Sequence, residues 1–134
     1  MTVINRAKML MFDVVKFHNR RNDLAEKHGE MPRNDRKTWI MLETWTNKDY
    51  LIVLQMVRDG AEEEKCFTAA TMHLFWEIER KLVASLPQER IAKGTILSNK
   101  ECWRFWMNVC ETLNRIYYGK TKRPVGATPL ELAS

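Results

Sequence analysis

The stretch Ser98 to Gly119, SNKECWRFWMNVCETLNRIYYG, limits what this chain can fold into more than any other part of it. Ser98 followed three residues later by Glu101 makes a capping box, and Gly119 stands where a helix ending wants a residue free to take positive φ. The spacing predicts one long helix over 98–118. At about 100° per residue, Phe105, Ile116, Val109, Cys102, Leu113, Trp106, Tyr117, Cys110, Trp103 and Met107 fall on an arc covering roughly half the circumference. Lys100, Arg104, Asn108, Glu111 and Arg115 share the other side. One neighbour cannot cover so wide an apolar arc, so several helices must wrap this one. Trp103, Met107 and Tyr118 lie at the edge of the arc, where a partner surface is expected.

Val3 to His28 is a second strong helix, with Leu10, Val14, Phe17 and Leu24 on its apolar arc and Gly29 just beyond its end. His18 and Arg21 project into that arc, where a polar side chain needs a partner. Pro32 marks a connector, after which Asn34 or Asp35 can cap the next helix. Arg36–Trp45 and Tyr50–Val57 read as two short helices, with Thr46 and Asp49 forming a near capping box and Gly60 closing the second. The alternative is a β-hairpin at 38–57, because TWIMLETW and YLIVLQMV are rich in strand-favouring residues. The turn TNKD lacks the glycine that short hairpins favour, and Leu51, Leu54 and Val57 keep helical spacing, which weighs toward helices. A DNA-reading helix-turn-helix is disfavoured, since YLIVLQMV offers only Gln55 to a base edge.

Asp59 and the acidic run Glu62, Glu63 and Glu64 read as the capped start of a helix reaching about Leu86, where Pro87 stops it. Phe67, Thr71, Leu74, Phe75, Ile78 and Leu82 form its stripe, and Met72, Trp76 and Val83 are expected to widen it, with Glu79 between the two groups. After Gly119, KTKRPVGATPLELAS has two prolines, a glycine and no periodicity. The expectation is an all-α fold, a compact bundle of about five helices around the helix at 98–118. Residues 1–119 would form one domain and 120–134 a basic, Pro/Gly-containing C-terminal tail, because 134 residues with 45% hydrophobic content suit one core rather than two.

Function is constrained mainly by exclusion. The chain carries no phosphate-binding glycine loop, no HExxH, no GxSxG and no EF-hand loop, which leaves an enzyme open but less favoured than a binding protein. Cys66, Cys102 and Cys110 have neither disulfide-framework nor zinc spacing, and His73 and Glu77, four apart, lack a second pair; no cofactor or metal is expected. No run reaches the roughly 20 apolar residues of a membrane span, and Asp13 and Lys16 break a would-be signal peptide, so a cytoplasmic chain without membrane contact is expected.

Three constellations stand out. His18, Arg21 and Glu79 are polar residues inside apolar arcs, and facing arcs would join Arg21 to Glu79 in a buried pair beside His18. The net charge of +5 concentrates at the two ends of the chain. Arg20, Lys27, Arg33, Arg36 and Lys37, near Trp39, together with Lys120, Lys122 and Arg123, could hold phosphates around an aromatic platform. Finally, eight methionines and five tryptophans leave adaptable apolar area for docking or self-association. The leading expectation is a small intracellular protein-interaction or regulatory module acting on a macromolecular partner, in a style that fits a virus or mobile element. The alternative is a nucleic-acid-binding protein using residues 20–37 and 120–123.

Overall fold

The computed structural model describes residues 3–86 and 94–118, which form five α-helices and, among the described residues, no strand. They are α1 (Val3–His28), α2 (Arg36–Glu43), α3 (Asn47–Glu63), α4 (Ala69–Ser85) and α5 (Asn99–Tyr118). Each starts or stops for a local chemical reason. Gly29 takes φ of 86° at the end of α1, and the Asp35 carboxylate caps α2 by accepting from the Thr38 amide. Thr46 and Asp49 close a reciprocal capping box on α3, and Ser98 and Glu101 close another at the start of α5. The hairpin alternative at 38–57 is therefore corrected. Both of its segments begin with a satisfied side-chain cap, and both bury one helical face in the same core.

A second correction concerns where α3 ends. Gly60 does not close the helix, and Asp59 and Glu62 to Glu64 do not open the next one; α3 runs through Gly60 to Glu63. Burial decides this, because Val53, Val57 and Ala61 line one stripe, and Ala61 is wholly buried. Chain reversal falls instead to Lys65, at φ 51°, and Thr68 caps α4 by accepting from the Thr71 amide. The missing side chain at Gly60 has another use. A Cβ there would meet Ile116 Cδ1 at 3.2 Å, so α5 approaches α3 more closely than an alanine would allow unstrained.

α3 packs on α1, α4 and α5, while α5 packs on α3 and α4 and also meets α1 through Trp106 and Phe17 and α2 through Trp103 and Trp39, so α3 and α5 share the centre of the bundle. A chain of rings runs through the core. Phe17 lies 4.3 Å from Trp106, Trp106 lies 4.9 Å from Trp45, and Tyr50, Phe105 and Phe75 continue it to Phe67 at 5.9 Å from Phe75. Buried polar groups tie the elements together. Asn47 donates to Ser85 Oγ and accepts from the Ile96 amide, each at 2.9 Å, joining α3, α4 and the segment before α5. Arg6 donates to both carboxylate oxygens of Asp49, fastening α1 to the cap of α3.

Candidate functional site

The polar residues in the α1 arc have different partners from those expected. His18 is fully buried, and its Nε2 lies 2.8 Å from Asn114 Oδ1 of α5, with Asn22 one turn away. Glu79 pairs with Arg58 of α3 and not with Arg21, which corrects the cluster of His18, Arg21 and Glu79. The reason is geometric: α4 packs on α3 and α5, so its half-exposed Glu79 faces the α3 guanidinium. Arg21 lies instead at a hollow of about 400 Å³ between the end of α1, the connector and α5, together with Arg33, Met31, Trp103 and Met107. Glu30 and Glu111 line the same hollow and offset its two guanidinium charges.

The expected partner edge of α5 is corrected in part. Trp103 is only 5% exposed because Trp39 stacks on it at 5.7 Å, and Met107 is half-buried in the hollow. The Tyr118 side chain lies outside the described residues. The basic set is likewise divided. Arg20 forms a two-pronged ion pair with Asp35, while Lys27, Arg33, Arg36 and Lys37 stand in solvent. The Trp39 indole donates to the Arg33 carbonyl, and one of its ring faces is taken by Trp103. Lys120, Lys122 and Arg123 lie outside the described residues.

The most built surface lies on α4. Met72, Trp76 and Val83, expected to widen the core stripe, are 54%, 47% and 51% exposed on one outward face. Arg80 lies over the Trp76 ring, 4.7 Å from its centroid, and His73 Nε2 lies 3.0 Å from Glu77 Oε1 on the same face. Beside it, Ala61, Phe67, Phe75, Met72 and Trp76 line a groove of about 620 Å³ between α3 and α4, with Arg58, Glu62 and Lys65 also in its wall. Phe67 ends the aromatic chain of the core there, so the groove wall is packed against the core. A second exposed apolar pair, Met9 and Phe12, stands on α1, with Phe12 69% exposed.

One sequence signal could have identified the α4 face. Residues two apart on a helix point in different directions, so Trp76 cannot share the stripe of Leu74 and Ile78. Among the described residues no group of three or more His, Cys, Asp or Glu is placed to hold a metal ion, and no helix is long and apolar enough to cross a membrane. Comparison with known protein families, curated proteins and solved structures finds no match.

Proposed function

We propose that this chain is a protein-interaction module whose docking surface is the outer face of α4 with the adjoining α3–α4 groove. The observation that carries it is the exposure of Met72, Trp76 and Val83 on one face beside an apolar groove. A helix needs no such side chains there for folding, because Leu74, Phe75, Ile78 and Leu82 already supply its buried stripe. Tryptophan, methionine and arginine are the residue types enriched at interface cores, and Trp76, Met72 and Arg80 sit together. The three thiols are free, with two of them buried, which suits a reducing, intracellular setting.

The test is affinity capture of proteins from the cell that makes this chain, using wild type, Trp76→Asp and Lys37→Glu. Partners retained by wild type and Lys37→Glu but lost with Trp76→Asp support the α4 surface. Equal capture by all three rejects it. A parallel measurement addresses the basic surface. Salt-sensitive binding of mixed-sequence RNA or DNA that Lys37→Glu weakens and Trp76→Asp leaves intact would reassign the protein to nucleic acid.

A further inference from the structure

The α4 face changes shape along its length. Its first half protrudes with Met72 and Trp76. Its second half carries Arg80, Val83 and Ala84 beside a hollow of about 560 Å³, whose wall also includes Glu77. We infer that the occupant of this face is a second copy of this chain, paired antiparallel, α4 on α4, about the level of Ile78. This rests on the docking surface proposed above and names its partner.

Two-fold pairing of one surface on itself requires that residue i meet residue j while j meets i. The level of Ile78 lies midway between Trp76 and Arg80, which stand only about 40° apart around the helix. Each Trp76 enters the hollow around Arg80 and Val83 of the second copy. The guanidinium of Arg80, already over its own Trp76 ring, then lies between two indoles, an arrangement that removes water from both of its faces.

Charge follows the same symmetry. Glu77 and Arg80 are one helical turn apart on α4, so reversing the second helix brings Glu77 of each copy beside Arg80 of the other. Parallel pairing would instead set Arg80 against Arg80 and Trp76 against Trp76. Size limits the strength. A helix of 17 residues is about 25 Å long, and one such helix pair covers less than the roughly 800 Å² per partner of a standard stable interface. The dimer is therefore concentration-dependent, with half-dissociation in the range of about 10 µM to 1 mM.

Sedimentation equilibrium of the full chain over that range tests the inference. The average mass should rise with concentration from 15.9 kDa toward twice that value. Glu77→Arg and Arg80→Glu should each weaken dimerisation about tenfold, because like charges then oppose. The double exchange should recover only part of that loss, since the charge pairs are restored in reversed order while the guanidinium between the indoles is gone. Trp76→Asp should leave only monomer. All three substitutions fall on exposed positions, so circular dichroism should show an unchanged helix content in each variant.

A wild-type chain that stays monomeric at about 1 mM overturns the inference. So does a dimer indifferent to Trp76→Asp, or single charge exchanges that the double exchange does not partly rescue. The two proposals fail separately. A monomeric chain whose capture of other proteins still depends on Trp76 sinks only the self-pairing. A dimer that Trp76→Asp abolishes while capture is unchanged sinks only the wider docking surface.

Discussion

Asp35 shows how much one side chain can organise. It caps α2, accepts from the Thr38 hydroxyl and amide, and receives two hydrogen bonds from Arg20 of α1. The Arg20 guanidinium is the chief reason its carboxyl is held at about 2, with Thr38 adding to the effect against the opposing influence of burial. A carboxyl whose folded pKa lies below its ordinary 3.8 binds a proton more readily when unfolded, so its contribution is complete at neutral pH and disappears as pH falls toward 2. Asp35→Asn keeps a competent cap but removes the ion pair. It should cost about 1–2 kcal/mol at pH 7, with the difference from wild type vanishing near pH 2 in urea titrations across that range. Asp49 and Glu101 are depressed by their hydrogen-bonded partners, against the effect of burial, and push the acid limb of stability in the same direction.

Among the elements, α3 departs most from local propensity and so makes the sharpest tests. Gly60 lies inside the helix against Ile116, where an alanine gains helix propensity but meets the end of a flexible side chain at 3.2 Å. Gly60→Ala should change stability by less than about 1 kcal/mol, whereas Gly60→Leu forces α5 away from α3 and should cost about 1–3 kcal/mol in chemical denaturation. The Arg58–Glu79 pair between α3 and α4 belongs to the same scale. Both side chains are 31% exposed, so water screens the pair. Glu79→Gln should cost less than about 1 kcal/mol; a loss of several would mean that a buried arginine had been left without its counter-charge.

Across the whole molecule, the three cysteines report on the core. Burial raises the Cys110 thiol to about 12, and Cys102 is also raised by burial and buried beside the Tyr50 hydroxyl. Cys66, in the turn between α3 and α4, is only half-buried. A thiol reagent under native conditions should label one site, Cys66, with Cys102 and Cys110 following only at the rate of global unfolding. Mass spectrometry of the labelled chain against time checks this, and early labelling of Cys110 would contradict a single cooperative core. The same core makes the docking face possible, because the buried stripe of α4 is complete without Met72, Trp76 or Val83.

Much of the fold was legible in the chain itself. The all-α class, the extent of α1 and the caps at Asp35, Thr46 and Ser98 depend on neighbours within four residues, so short-range chemistry determines them. The candidate site was less legible. Glu79 turned to Arg58, Trp103 was covered by Trp39, and Arg20 was taken by Asp35, each through a contact between different elements. The pattern of apolar residues marks what can be buried, yet there is more such surface on α4 than its neighbours cover. Spacing separates Trp76 from the stripe of Leu74 and Ile78, and the packing of α3 and α5 decided which of these two faces was enclosed, because a straight helix can turn only one face to a core.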